Sequence, residues 1–204
     1  MISSPSDKLT SCKDLLAEVV YILIDLGSLL HPSWVSRKRI PFSDKLEYTA
    51  NLLGKKEEFK KQIAEGNLLE HAEFVGNMYG TPKDKVEEKL SNGHEVVLEI
   101  EVNGAMQVRE KMEDAVFIFI APPSYDALEK RLVDRGTERN EVIKERLEKA
   151  HREINLAHNY DYIVINDEVD NAADRIMAII RAEHAKCDRT LSEYLKLMEE
   201  TNND

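Results

Sequence analysis

The chain has 204 residues, of which 42% are hydrophobic and 33% charged, and it carries a formal net charge of −11. That length and composition suit one globular α/β domain with insertions and exclude two large domains. The negative balance disfavours nucleic acid and anionic membrane surfaces as partners, so a bound anion has to meet a local group of arginines.

In chain order, the apolar run VVYILIDLGSLL (19–30) is broken by Asp25. It falls well short of the ~20 residues a membrane helix needs, and no small-residue cleavage pattern follows it. It reads as a buried strand, VVYILIDL, with no membrane association expected. Cys12 and Cys187 are spaced for neither a disulfide framework nor a metal site, which predicts a reducing, cytoplasmic setting and no protein-held metal.

KKEEFKKQIAEG (55–66) has charged helical spacing and stops at Gly66, a residue suited to a helix C-cap. GNLLEHAEFVGNMYGTP (66–82) reads as neither a core element nor an ordinary loop. It holds Glu70, Glu73, three glycines, Tyr79 and Thr81, with no Lys or Arg to neutralise the acids. TPKDKVEEKLSNG (81–93) predicts a second helix, with Pro82 near its start and Gly93 after its end.

EVVLEIEV (95–102) reads as a β-branched strand that places Glu99 and Glu101 on one face. NGAMQVREKM (103–112) reads as a short helix. AVFIFIAPP (115–123) is a continuous apolar run stopped by two prolines, the pattern of a strand buried on both faces. Helices are predicted over SYDALEKRLVDRG (124–136) and from about 138 to 158. DYIVIND (161–167) reads as another buried strand, and the chain is helical from 171 onward. Strands of this kind alternating with helices predict a parallel sheet covered by helices. In such sheets ligands lie beyond the carboxyl ends of the strands, which singles out 99–104, 122–124 and 166–167.

Arg131 and Arg135 are four apart on one predicted helix face, and Arg146 follows on the next helix across GTERNEV. A guanidinium presents a planar fork of donors matched to phosphate oxygens, and a hinge between two such helices can close over a ligand. On pattern alone a second reading stays open, in which these arginines pair with glutamates on a solvated face. Glu70 likewise has two readings. One is an exposed acid in a turn. The other, with a carboxylate from the 99/101 face, is recognition of guanine, whose N1–H and amino group are donors that a carboxylate accepts together. Tyr79 and Thr81 are hydroxyls suited to a monophosphate.

The ordered segments EEFKKQIAEGNLLEHAEFVGNMYGTP, VVLEIEVNGAMQV, FIFIAPPSYDALEKRLVDRGTE, VIKERLEKAHREI and YDYIVIND resemble guanylate kinases. The resemblance runs from about residue 55 to at least 184. It implies a core like that of the P-loop kinases, with a small GMP-binding insert over 55–92 and a helical lid over 131–150. That core would span 17–184, between a divergent segment at 1–16 and a helical tail at 185–204. The implied activity is transfer of a phosphoryl group from ATP to GMP with magnesium. By the same resemblance Glu70 reads guanine, Tyr79 and Thr81 hold the GMP phosphate, and Glu101 is a second guanine-reading acid where the family more often has Asp. Glu99 lies near the metal and phosphates. Arg135 and Arg146 neutralise the transferred group with Arg131 in support, and Asn166 lies near the adenine of ATP.

The resemblance stops before residue 55. The family begins with a strand and a Gly-rich phosphate loop, then a basic segment that also holds GMP. This chain has no G-x-x-x-x-G-K-[ST] anywhere. After the first strand it reads HPSWVSRKRI, where Trp34, Ser36 and Arg37 stand in place of the family's second glycine, third glycine and lysine. Successive backbone N–H groups must converge on phosphate in that loop, in conformations that a β-carbon obstructs. A reading-frame fault at the Trp34 codon is one account of the departure. Three expectations follow: an impaired guanylate kinase, a non-catalytic guanylate-kinase-like binding module, or a decayed gene product.

Overall fold

The computed structural model describes residues 20–25, 56–74, 77–134 and 140–201. The phosphate-loop reading at 31–37, Cys12 and the lid arginine Arg135 lie outside the described residues.

Four parallel strands form the central sheet: β1 (Val20–Asp25), β4 (Val96–Glu99), β5 (Val116–Ala121) and β6 (Tyr162–Ile165), in the order β4-β1-β5-β6. The described part of the apolar run, Val20–Asp25, is thus an inner strand, its register set by Ile22 opposite both Leu98 and Phe117. Side chains alternate between two apolar layers, as period-2 geometry requires. Val20, Ile22, Leu98, Phe117 and Phe119 fill one layer; Tyr21, Val116, Ile118, Ile120 and Val164 fill the other.

The first layer is covered by α3 (Val102–Arg109), α4 (Tyr125–Asp134) and α5 (Asn140–Ile154), through Val102, Ala105, Val108, Leu128, Leu132, Ile143 and Ala150. The second is covered by α6 (Val169–His184) through Ala172, Ile176 and Ile180. The predicted α/β architecture, a parallel sheet flanked by helices, is the one observed. A final helix, α7 (Cys187–Thr201), follows α6 after a break at residues 185–186 and keeps Leu191, Tyr194 and Leu195 about half exposed.

Between β1 and β4 the chain builds a smaller unit. Helix α1 (Lys56–Ala64) leads to an antiparallel hairpin of β2 (Leu68–Phe74) and β3 (Asn77–Pro82), then to α2 (Lys83–Ser91). Gly66 and Gly93, expected as helix stops, do take positive φ, of 71° and 75°, where a β-carbon is disfavoured.

Three local expectations are corrected. Within the stretch 66–82, Leu68–Phe74 and Asn77–Pro82 are β-strands, their residues pairing across the hairpin as Glu70 with Thr81 and Ala72 with Tyr79. The strand read over 95–102 ends at Glu99, where its pairing with β1 runs out at Leu23. Glu101 stands at the boundary just before α3, where its backbone carbonyl accepts from the N–H of Ala105 while its side chain makes no bond to the helix end. It therefore shares no strand face with Glu99. Finally, β6 is buried on one face only: Val164 is 2% exposed, while Ile163 and Ile165 are 56% and 43% exposed. It is an edge strand of the described sheet, and no described helix covers its exposed face.

Candidate functional site

All four sheet strands run in the same direction, so their carboxyl ends share one rim. Glu99 and Glu101 follow from β4 there, and Asn166 follows from β6. The hairpin is docked against the same rim by α3. Gln107 accepts from the His71 N–H at 3.1 Å and donates to the His71 carbonyl at 2.9 Å, mimicking a strand partner. Lys111 Nζ donates to the carbonyls of Leu68 and Leu69 at 3.0 and 2.8 Å. Neither residue is singled out by sequence pattern, because each acts on backbone 36 or more positions away.

That docking gives Glu70 its environment. Its side chain is 7% exposed, and Oε1 accepts from Thr81 Oγ1 at 2.7 Å. The opposite oxygen, Oε2, lies over Gly104 in α3, where an added β-carbon would sit 2.8 Å away. The exposed-turn reading of Glu70 is therefore overturned. Burial pushes its carboxyl above the ordinary range, the nearby Glu101 charge adds to this, and the Thr81 bond, His71 and Lys111 work against it. Gly104 was legible as a signal: a glycine inside a helical pattern costs ~1 kcal/mol against Ala and implies a packing reason.

Tyr79 lies two residues before Thr81 on β3. Because Glu70 opposes Thr81 and Ala72 opposes Tyr79, the hairpin presents Glu70, Tyr79 and Thr81 on one face. Thr81 is 3% exposed and Tyr79 half-buried. Glu101 is exposed, makes no capping bond to α3, and is held through Oε2 by Lys149 Nζ of α5 at 3.1 Å. Arg146 is half-buried on the same flank of α5, one turn before Lys149.

The other end of the rim is built by β6. Asn166 is 5% exposed and continues the β5–β6 pairing, its N–H donating to the Ala121 carbonyl at 2.7 Å. Arg131 Nη2 donates to the carbonyls of Asn166 and Asp167 at 2.8 and 3.1 Å, so this guanidinium fixes the turn after β6. Asp167 in turn pairs with Arg175, whose hydrogen bonds hold its carboxyl well below the usual range. Glu99 is exposed at the end of β4. Of the predicted site residues that are described, Glu70, Tyr79 and Thr81 lie on the hairpin, Glu99, Glu101 and Asn166 lie at the carboxyl ends of β4 and β6, Arg131 reaches the turn after β6 from α4, and Arg146 lies on α5. Glu70, Thr81 and Glu101 form one cluster; Arg131 and Asn166 form a second at β6.

A family model described as guanylate kinase matches residues 51–183. The guanylate kinase of Oceanobacillus iheyensis is 50% identical over 145 residues, 71% of this chain and 70% of the relative. That of Onion yellows phytoplasma is 54% identical over 146 residues, 71% of this chain and 69% of the relative. Among solved structures, the crystal structure of guanylate kinase from Anaplasma phagocytophilum superposes with a TM-score of 0.64. It covers 90% of this chain and 95% of its own, at 28% identity.

Proposed function

The chain belongs to the guanylate kinase family, and from that premise we propose that it binds GMP against the hairpin and supports only slow transfer of a phosphoryl group from ATP. The buried Glu70 carries this reading. A carboxylate kept from water beside Thr81 is an acceptor waiting for paired donors, and guanine's N1–H and amino group are such a pair. Glu101 completes the reading of the base edge, and the hydroxyls of Tyr79 and Thr81 face the GMP phosphate. Arg146, with Arg135, supplies positive charge for the transferring group, while Arg131 and Asn166 shape the adenine end.

Phosphoryl transfer is mostly positioning and charge neutralisation, so the parts present act on the acceptor and on the transition state. Magnesium, when bound with ATP, would supply positive charge that offsets the charge of the phosphates. It takes few protein ligands, and Glu99, exposed at the end of β4, would be the carboxylate that holds it. The triphosphate cradle does not fit: the residues after β1 supply neither the glycines nor the lysine, so we derive no step through the ATP phosphates. Losing a phosphate-holding cation costs roughly 10²–10³-fold or more in rate.

The missing cradle also favours a second reading, a non-catalytic module of the same fold. Calorimetry with GMP and with ATP, beside a coupled assay of GDP formation, separates the two. Saturable GMP binding with turnover several powers of ten below that of a guanylate kinase relative supports the first; GMP binding with none supports the second. Absence of GMP binding refutes both the site and its residues.

A further inference from the structure

Three glutamates crowd the end of β4. Glu70 and Glu153 both have carboxyls raised first by burial, and the charge of Glu101 raises each further. Lys149 lies between them. Its Nζ stands 3.1 Å from Glu101 Oε2 and 3.7 Å from Glu153 Oε1. Arg146, Lys149 and Glu153 fall along one flank of α5, beside the buried stripe Ile143, Leu147, Ala150 and Ile154. That flank therefore faces the carboxyl end of β4. Lys111, another cation near Glu70, has its ammonium on the carbonyls of Leu68 and Leu69.

As a stability element the pair counts for little: its side chains are 45% and 55% exposed, and such pairs contribute roughly 0–1 kcal/mol. Its consequence lies in orientation. Glu101 is next to two other acids and does not cap α3, so without a cation its carboxylate would turn to solvent. Lys149 holds one oxygen at 3.1 Å and so fixes the orientation of the group.

Resting on the GMP-site reading above, we propose that Lys149 is a positioning residue for base recognition, holding Glu101 where it can accept the second set of donors that distinguishes guanine. Guanine offers N1–H and two amino N–H groups on that edge, and hypoxanthine keeps N1–H alone. One carboxylate, Glu70, satisfies hypoxanthine; the second has a donor only in guanine.

The test is calorimetric binding of GMP and of inosine monophosphate to the full chain and to Lys149→Met, Lys149→Arg, Glu101→Gln and the double variant Lys149→Met/Glu101→Gln. Urea midpoints on all five proteins verify folding. Lys149→Met is expected to weaken GMP about 3–5-fold and to leave inosine monophosphate unchanged. Lys149→Arg restores GMP, and Lys149→Met adds nothing once Glu101 is Gln, since it acts through that carboxylate. Equal losses for both nucleotides, additivity in the double variant, or no change in GMP affinity overturns the role of Lys149 while leaving the GMP site standing. If the parent chain binds no GMP, the site reading fails and this inference falls with it.

Discussion

Substitution of Gly104 by Ala puts the geometry around Glu70 to a quantitative test. The added β-carbon would lie 2.8 Å from Glu70 Oε2 and 3.4 Å from its Cδ and Cγ. Reaching ordinary contact near 3.4 Å requires the carboxylate to retreat by about 0.6 Å. The group cannot retreat freely, because Thr81 holds Oε1 at 2.7 Å and the side chain is buried. Bending or stretching that charge-assisted bond costs up to about 1.5–3 kcal/mol, whereas replacing a helical glycine by alanine returns ~1 kcal/mol. Net stability therefore changes little, by about 1 kcal/mol either way. Binding does not share that compensation, since a displaced carboxylate loses its aligned donors on the base. We expect a loss of roughly 1.5–3 kcal/mol in GMP binding, or about 10–100-fold. Urea unfolding reads the first quantity and calorimetry the second. A folded Gly104→Ala protein with GMP affinity within about twofold of the parent would refute the placement of Glu70 at the base.

Three further outcomes follow from the same geometry. GMP affinity should fall on acidification with a midpoint above the ~4.3 of an ordinary glutamate, because burial raises the Glu70 carboxyl and binding needs its ionised form. A profile that persists unaltered in Glu70→Gln would assign the effect elsewhere. Thr81→Val leaves the buried carboxylate without its hydroxyl donor and should lower unfolding free energy by about 1–3 kcal/mol in urea; no loss would mean that the bond is not made in solution. At the opposite end of the sheet, burial opposes ionisation of Glu183, but hydrogen bonds from Lys186 and Tyr162 outweigh it and hold the carboxyl below its usual range. Its contribution is then present at neutral pH and lost as pH falls below ~4. The stability difference between parent and Glu183→Gln should shrink across that window in urea titrations, and a difference constant from pH 7 to 3 would contradict it.

Much of the architecture was legible because local rules and burial agree. Strands such as VFIFIA are apolar at every position only when both faces are covered, and Gly66 and Gly93 stop helices because they accept positive φ. The resemblance of ordered motifs to guanylate kinases makes Glu70, Tyr79, Thr81, Glu99, Glu101, Arg131, Arg146 and Asn166 candidate site residues. The hairpin escaped because its pattern conflicts with its role. Its glutamate faces inward, so the alternation that marks a half-buried strand is inverted at Glu70.

What the sequence determined by itself was the succession of helices and central-sheet strands outside the hairpin, and the chemical types available at their ends, since both follow from short-range periodicity and turn chemistry. What the tertiary structure decided was the state of those groups. Glu70 is buried because a glycine 34 residues further along the chain leaves room for it. Arg131 braces a turn after β6, and Lys149 reaches a carboxylate 48 positions away. Burial and pairing of a charge depend on which distant backbone comes to lie beside it, and no local spacing encodes that.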